Sequence, residues 1–199
     1  MVTETETPRI APLEPPYEPA VAAQLQHMMP AGVPPIALFR TLVRNLPMAE
    51  AMTGWGSYEL GRRLSLTMRD REVVIDRTCA RCGCEYEWGV HVAVYAERVG
   101  LDPRQVDSLA SGGPDDECWI DDRDRLLIGA VDALHDRGDL DYGLWDALTA
   151  VFSEANLLDL AVLCDWYHAV SFVARVARVP LEAGAPTFAQ PPAAPPENR

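Results

Sequence analysis

The sequence predicts an all-α protein, and two observations carry that prediction. Long stretches repeat apolar residues at three- and four-residue intervals, which is the spacing along one face of an α-helix. Alternating runs of β-branched residues, which would predict strands, are hard to find, and glycine is sparse. With 199 residues and 48% hydrophobic composition, the chain is long enough to bury a substantial core.

Prolines set the helix boundaries in the first part of the chain. A first helix is expected to end at Pro30, because proline cannot continue a helix beyond its first turn. A second begins after Pro34 and Pro35, and Pro47 breaks or kinks it. The predicted helices cover about residues 19–29, a stretch from about 36, and about 48–60.

Capping residues and glycines bound the next two helices. Thr67 stands three residues before Asp70, a short-acid variant of the capping box, so a helix starts near Arg69. Gly83 interrupts it, and the following helix ends at Gly100, since glycine readily takes the left-handed conformation found after helix ends. These signals predict helices over about residues 69–82 and 84–99.

The second half of the chain uses the same signals. Asp102 is an expected N-cap, followed by Pro103 at the first helical position. Gly138 stops a later helix, Ser153 caps the last and longest one, and Pro180 ends it. Helices are predicted after 103 and over about residues 122–137, 141–152 and 154–178. The last is apolar nearly all round, so we expect it in the core or at an interface.

Proline-rich segments flank a single predicted domain, residues 20–181. Residues 1–19 carry five prolines and predict an extended arm. Residues 182–199 carry five more and predict a flexible tail or a strap over a neighbouring subunit. The N-terminus lacks the basic and apolar regions of a signal peptide, and the most apolar window, residues 157–164, is too short to span a bilayer. We therefore expect a soluble, cytoplasmic protein with no membrane partner.

The charge pattern argues against several kinds of function. The formal net charge is −13, from 30 acidic and 17 basic residues, and every one of the bases is arginine. Without lysine, the chain has no lysine Schiff base and no lysine general base. The acidic balance argues against a nucleic-acid partner, since phosphate binding needs a basic surface. A small-molecule substrate is expected instead.

Four residues of the helix that begins at Cys84 share one face. Cys84, Glu87, Trp88 and His91 stand at positions i, i+3, i+4 and i+7. A thiol, a carboxylate, an aromatic ring and an imidazole on one stripe are unusual for a simple core helix. The same residue types also occur as a surface Glu–His pair beside an inert buried cysteine, and the spacing alone leaves that interpretation open.

The chemistry of this stripe depends on its thiol and its imidazole. Cys84 is expected at a helix start, where the helix dipole favours a thiolate, so the sequence predicts a lowered pKa for this thiol. His91 lies two turns further on. It can exchange a proton with a group held between it and Cys84 or Glu87.

The segment around this stripe resembles the core segment of the carboxymuconolactone decarboxylase and alkylhydroperoxidase D family. It reads RDREVVIDRTCARCGCEYEWGVHVAVYAERVGLD. The peroxidase members carry a glutamate, eleven intervening residues and then C-x-x-C-x-x-x-H. Glu72, Cys84, Glu87 and His91 fall on those four positions without a gap. The resemblance implies an alkylhydroperoxidase D-like helical fold that assembles into a ring, a homotrimer or homohexamer.

Glu87 departs from the peroxidase pattern, in which a second cysteine at this position resolves the oxidised thiol. The resemblance to the decarboxylase branch then implies acid–base chemistry on a small carbonyl, lactone or carboxylate compound, without a metal or organic cofactor. His91 would act as acid or base, Glu72 and Glu87 as its proton partners, and Cys84 as a polar pocket residue. The alternatives are a thiol peroxidase that uses Cys84 and a non-catalytic ligand-binding or scaffold protein.

Cys79 and Cys82 form a separate C-x-x-C just upstream. Either thiol is a possible resolving partner for an oxidised Cys84. Together with Cys84 and His91 they are also zinc-ligand types, but their spacing matches no zinc pattern, and the sequence predicts no metal site.

Tyr167 and His168 on the last helix, together with Trp88, are the predicted walls of the substrate pocket. The last helix is apolar enough to pack against the helix that carries His91. His168 is expected to be a hydrogen-bonded histidine that lines the core or the pocket. His135, near a helix end, is expected to face solvent.

Overall fold

The structure is a computed structural model of the chain, and it describes residues 7–188. All regular elements in that range are helices, which confirms the predicted all-α class. In chain order they are α1 (Pro19–Met28), α2 (Ala37–Leu42), α3 (Leu46–Glu59), α4 (Met68–Arg81), α5 (Glu85–Tyr95), α6 (Pro103–Ser111), α7 (Asp122–Arg137), α8 (Tyr142–Thr149) and α9 (Glu154–Ala177). Short 3₁₀ turns follow α2 at Val43–Asn45 and α5 at Glu97–Val99.

Helix ends follow the predicted signals closely. Thr67 and Asp70 form the reciprocal capping box of α4: the Asp70 amide donates to Thr67 Oγ1 at 3.1 Å, and the Thr67 amide donates to the Asp70 carboxylate at 3.0 Å. Gly100 and Gly138 take left-handed φ angles of 70° and 67°. Pro47 breaks the second helix rather than kinking it, because it lies in the first turn of α3, where a missing N–H removes no intrahelical bond.

The chain divides into two compact units, of which the first comprises Met1–Leu64 and Val173–Ala183. Its described part contains α1 to α3 and the end of α9. Gln24 on α1 fixes this helix to α3, because its amide nitrogen donates to Thr53 Oγ1 at 2.6 Å.

The second unit comprises Ser65–Phe172 and Gly184–Arg199, and α4 is its centre. α4 packs against α5, α6 and α7, and all ten residues from 70 to 79 are buried. A helix with this many buried charges needs partners for them. Arg77, for example, donates to Asp132 on α7 through Nε at 2.7 Å and Nη2 at 2.8 Å. Paired charges therefore allow a polar helix to occupy the core.

Helix α9 is the only described helix that is long and apolar enough to span a membrane. It has 24 residues, and its most apolar window has a mean hydropathy of 1.4. The whole helix is thus longer than the apolar window of residues 157–164 suggested. Buried helices of soluble proteins pass the same test, and 44% of this window is buried within the chain. Leu160, Leu163 and Tyr167 lie on the buried face, as is typical of a core helix.

The predicted terminal segments lie partly outside the described residues. These are residues 1–6 of the arm and 189–199 of the tail. The limits of the predicted domain, at residues 20 and 181, therefore stay predictions. Within the described part of the tail, residues 184–188 lie against α5 and are considered with the site below.

Candidate active site

Side chains from α4, α5 and α9 come together in the second unit and form the candidate site. The site residues are Glu72, Asp76 and Cys79 from α4, Cys84, Glu87 and His91 from α5, and Tyr167 and Ser171 from α9. The connection from α4 to α5 is short because Gly83 takes a left-handed φ of 62°, which favours glycine. This turn places the face of α5 that carries the predicted stripe against α4.

His91 is held on both ring nitrogens. Its Nδ1 lies 2.7 Å from Glu72 Oε2, and its Nε2 lies 3.0 Å from the Tyr167 hydroxyl and 3.6 Å from Glu87 Oε1. All four side chains are buried. Because a carboxylate only accepts hydrogen bonds, Nδ1 carries a proton and donates it to Glu72. The imidazole is therefore anchored on one nitrogen and presents the other to the site.

The surroundings of His91 favour its protonated form. Burial alone lowers the pKa of His91, but the neighbouring carboxylates of Glu72 and Glu87 outweigh burial and raise that pKa well above its ordinary value. Burial, together with the same two carboxylates, raises the pKa of Tyr167 well above its ordinary value, so the phenol keeps its proton. The site therefore holds His91 as an imidazolium beside the neutral phenol of Tyr167.

Arg71 supplies a second cation at Glu72. Its Nε donates to Glu72 Oε1 at 2.7 Å, and its guanidinium lies 5.1 Å from the centre of the Tyr95 ring. The Tyr95 ring in turn stacks on His91, with the ring centroids 5.5 Å apart. Arg71 and a protonated His91 together balance the formal charges of Glu72 and Glu87, which makes this buried cluster electrically neutral.

The prediction of a thiolate at Cys84 is wrong. Cys84 is the N-cap residue of α5, as expected, but its side chain is buried. Burial raises the pKa of the Cys84 thiol to about 11. The backbone amide of Glu87 lowers it, as the helix-start argument requires, but the effect is smaller than that of burial, and the Glu87 carboxylate raises it further. Cys84 is thus a neutral thiol in the wall of the site.

Cys79 lies beside Cys84 in the same buried region. The Cys84 amide donates to the Cys79 carbonyl oxygen at 2.8 Å. Burial, and then the charge of Glu87, raises the pKa of the Cys79 thiol well above its ordinary value. The Ser171 hydroxyl lies near both thiols and makes no regular hydrogen bond to another described residue. Of the two upstream cysteines, Cys79 is the one placed at the site.

Cys82 and His168 belong to a different group of side chains. Cys82 is the C-cap residue that follows α4, and its thiol converges with the imidazoles of His135 and His168. His168 follows Tyr167 on α9 but points to His135, 2.9 Å away, and to the Cys164 carbonyl oxygen. His135, which was expected to face solvent, is half-buried and stacks on His168.

Asp76 is a site residue that the sequence analysis missed. It stands one turn after Glu72 on α4, it is buried, and neither carboxyl oxygen has a hydrogen-bond partner among the described residues. Burial, and then the charge of Glu72, raises the pKa of Asp76 well above its ordinary value, although His91 lowers it. The carboxyl group is therefore expected to stay protonated at neutral pH.

Replacement of Asp76 by asparagine is expected to flatten the pH dependence of stability. Because the folded-state pKa of Asp76 is raised, the folded chain holds a proton that the unfolded chain has released. Its contribution to the free energy of unfolding then falls as the pH rises from about 4 towards the folded-state pKa, by up to about 1.4 kcal/mol per pH unit. Asparagine does not titrate, so the variant should gain stability relative to the natural chain as the pH rises. Urea denaturation at several pH values measures this, and a difference that is constant with pH would contradict it.

Unpartnered polar atoms concentrate around His91. Besides Asp76, they include Oε2 of Glu87, which is buried and has no hydrogen-bond partner in residues 7–188. The buried Ser171 hydroxyl makes no regular hydrogen bond in that range and interacts with the thiols of Cys79 and Cys84. Buried polar groups are nearly always hydrogen-bonded in folded proteins, so such a cluster is typical of a binding or catalytic site. It gives the site several polar groups for a substrate to contact.

The described part of the tail lies across the N-terminal half of α5. The Phe188 amide donates to Glu85 Oε1 at 2.8 Å, and the Phe188 ring packs on Trp88 with centroids 5.1 Å apart. Gly89 permits this approach, because a Cβ atom at this position would overlap the Pro186 carbonyl oxygen. Trp88, a predicted pocket wall, is thus fully buried beneath the tail.

Replacement of Gly89 by alanine is expected to displace residues 184–188 from α5. The added methyl group cannot share space with the Pro186 carbonyl, and a carbonyl on the main chain cannot move alone. Hydrogen–deuterium exchange of the peptide that contains Phe188 should become at least about tenfold faster as its hydrogen bond to Glu85 is lost. Gly54→Ala is the matched control, since a Cβ at this helical glycine meets nothing. Unchanged exchange in Gly89→Ala would contradict the prediction.

Known proteins resemble this chain in structure but not detectably in sequence. No family model matches the sequence, and no curated protein matches it either. Solved structures match the fold. An uncharacterised peroxidase-related protein from Silicibacter sp. TM1040 superimposes with a TM-score of 0.77 at 15% identity, covering 96% of this chain and 99% of that one. A protein of unknown function from Agrobacterium tumefaciens, named for the antioxidant defence protein AhpD, gives 0.63 at 18% identity over 71% and 95%.

The chain has the alkylhydroperoxidase D-like fold. This confirms the fold that the motif segment implied. The debrominase Bmp8 shares it: a cysteine-to-alanine variant in complex with 2,3,4-tribromopyrrole superimposes with a TM-score of 0.73 at 14% identity, covering 90% of this chain and 95% of that one. At these identities the likeness concerns the fold, which hosts proteins with more than one function. The reaction has to be argued from the site itself.

Proposed function

We propose that the chain is a cofactor-independent acid–base enzyme acting on a small carbonyl, lactone or carboxylate compound. The observation that carries the proposal is His91, anchored by Glu72 at 2.7 Å on Nδ1 and presenting Nε2 to Tyr167 and Glu87. An imidazole with one nitrogen fixed and a raised pKa is suited to deliver a proton from the other.

Decarboxylation is the reaction that makes fullest use of these groups. When a β-keto acid or a lactone acid loses carbon dioxide, the electron pair of the broken C–C bond stays on a carbon conjugated with the carbonyl. His91 Nε2–H would donate its proton to that carbon, and the neutral imidazole would regain one from solvent. Glu87, with an unpartnered Oε2, is suited to orient the substrate or to accept a proton. This reaction needs neither an oxidant nor a reductant.

The similar structures support a small cyclic substrate. The cysteine-to-alanine variant of the debrominase Bmp8 is in complex with 2,3,4-tribromopyrrole, a small planar ring. The site residues here are close-packed, with Trp88 and Tyr167 fully or almost fully buried. A ring compound with one carboxylate and one carbonyl could accept hydrogen bonds from the protonated Asp76 carboxyl and from the Ser171 hydroxyl.

Solvent deuterium incorporation tests the proposal. The full chain is incubated in D₂O with small β-keto acids and lactone acids, and carbon-bound deuterium and carbon dioxide are measured. The proposal expects turnover without metal or cofactor, a fall of at least about 100-fold in Glu87→Gln, and little change in Cys84→Ser. Glu97→Gln is the matched control, because Glu97 is an exposed glutamate just after α5. Absence of turnover across the panel, or a collapse in Cys84→Ser alone, would overturn it.

A thiol peroxidase is the second candidate, and the position of Cys79 beside Cys84 favours it. Cys84 would attack a hydroperoxide to give a sulfenic acid and an alcohol. Cys79 would then displace water to form a disulfide, which an external dithiol reduces. With a pKa of about 11, however, only about one Cys84 thiol in ten thousand is ionised at pH 7. Dithiol-dependent peroxide consumption that is lost in Cys84→Ser but kept in Glu87→Gln would favour the peroxidase.

Self-association is proposed from the outer face of α9. Leu158 and Phe172 on this face are 69% and 59% exposed, unusual values for apolar side chains of this size. A second copy of the chain is a suitable cover, as in the trimer or hexamer that the family resemblance implies. Leu158→Glu combined with Phe172→Glu should lower the mass measured by light scattering. An unchanged mass, or a monomeric natural chain, would contradict this.

A further inference from the structure

Three metal-ligand side chains converge at a place separate from His91. They are Cys82 at the end of α4, His135 in the last turn of α7 and His168 on α9. One ligand atom from each lies within 4.8 Å of the other two. Cys82 is buried, and the two histidines are half-buried, so the group has a closed side and a side that solvent can reach.

The orientation of His168 is typical of a metal ligand. Its Nδ1 lies 2.8 Å from the Cys164 carbonyl oxygen, which can only accept, so Nδ1 carries the proton. The lone pair of Nε2 then faces His135 Nδ1, 2.9 Å away. Metal-ligating histidines commonly donate their second N–H to a backbone carbonyl in this way, because the bond fixes both the tautomer and the direction of the ring.

The separations suit a small tetrahedral ion. Zinc–nitrogen bonds of about 2.0–2.1 Å and a zinc–sulfur bond of about 2.3 Å put the ligand atoms about 3.3–3.6 Å apart. His135 Nδ1 and His168 Nε2, at 2.9 Å, need to separate by only about 0.4 Å, and Cys82 Sγ needs to approach by up to about 1.2 Å. Small side-chain rotations can produce adjustments of this size.

The charges around the group are compatible with a cation. The Arg81 guanidinium acts on His135 electrostatically, but it is paired with Asp132 and Asp136 on α7. The two aspartates also place negative charge near the site.

We propose that Cys82, His135 and His168 bind one Zn²⁺ ion, with a fourth position open to water. A thiolate with two imidazoles binds zinc in preference to magnesium or calcium. On binding, the Cys82 thiol releases its proton to solvent, and His135 moves its proton from Nδ1 to Nε2; no group is oxidised or reduced. The ion would tie together α4, α7 and α9. It would also remove Cys82 from any disulfide chemistry with Cys84.

Cobalt and zinc titrations of the chelator-treated full chain test this site. One Co²⁺ per chain should give a thiolate-to-cobalt charge-transfer band with tetrahedral d–d bands, and one Zn²⁺ should displace it. Cys82→Ser should abolish the charge-transfer band. His135→Gln and His168→Gln should each weaken Zn²⁺ binding by about 100-fold or more. His27→Gln, which changes an exposed histidine, and Cys118→Ser should bind as the natural chain does.

Three results would contradict the proposed zinc site. The first is binding of fewer than one Zn²⁺ or Co²⁺ ion per chain, and the second is unchanged Zn²⁺ affinity in His168→Gln. The third is a charge-transfer band that is lost in Cys84→Ser and kept in Cys82→Ser. Circular dichroism reports whether each variant folds. Since His135 and His168 are half-buried, their variants keep the test valid if Cys82→Ser does not fold. All these readouts are independent of catalytic turnover.

Discussion

Replacement of His91 by asparagine is expected to lower turnover by about two to four orders of magnitude, the usual contribution of a general acid–base residue. Asparagine suits this test because its amide nitrogen can take the place of Nδ1. The variant can therefore still donate to Glu72, which His91 contacts at 2.7 Å. It has no counterpart of Nε2, so the group that faces Tyr167 and Glu87 is removed.

Deuterium incorporation into a β-keto or lactone acid measures the effect. His91→Gln is a useful companion, because its amide can replace Nε2 but cannot titrate near neutral pH. Both variants should therefore fail, whereas His27→Asn, at an exposed position, should retain full turnover. Turnover within tenfold of the natural chain in His91→Asn would contradict the assignment of His91 as the proton donor.

Replacement of Glu72 by alanine is expected to destabilise the fold by about 3–5 kcal/mol, because it leaves buried cations without their counter-ion. Glu72 is buried and contacts both Arg71 and His91 at 2.7 Å. Glu97→Ala, which removes an exposed glutamate, should change stability by no more than about 0.5 kcal/mol. Urea denaturation compares the two variants directly.

The loss of folding stability in Glu72→Ala should be smaller at alkaline pH than at neutral or acidic pH. The folded-state pKa of His91 is raised above its unfolded value, so its stabilising contribution is fully present below about pH 6.5. It is lost as the pH rises through the folded-state pKa. The destabilisation in Glu72→Ala should therefore shrink at alkaline pH. A cost below about 1 kcal/mol at pH 6 would contradict the charge cluster.

Helix positions were predictable because their signals are local. The capping box of Thr67 and Asp70 and the left-handed glycines Gly100 and Gly138 follow from conformational preferences of a few adjacent residues. The effect of Pro47 was only partly predictable. Whether a proline breaks or kinks a helix depends on whether the preceding residues can cap a new one, and here Asn45 does so.

The site was predictable along one helix but not across helices. The i, i+3, i+4, i+7 spacing placed Cys84, Glu87 and His91 on one face of α5, and the family motif added Glu72. Asp76, one turn from Glu72, was visible as a helical neighbour, but its burial depends on α4 occupying the core.

The pKa of Cys84 could not be predicted from its place in α5. The helix start lowers it, as expected, but burial by other parts of the fold has the larger effect. The contact between Tyr167 and His91 joins residues 76 positions apart, so no local pattern encodes it. The same holds for His168, which faces α7 rather than His91.

The protonation state of His91 is the central claim, and nitrogen NMR of the histidine ring tests it most directly. The full chain, labelled with ¹⁵N at histidine, is titrated from about pH 5 to pH 9. His91→Asn assigns the signals among the four histidines. We expect His91 to remain an imidazolium at and above pH 7, with Nδ1–H shifted by its short bond to Glu72. A neutral ring at pH 7, titrating at or below about 6.5, would contradict the account.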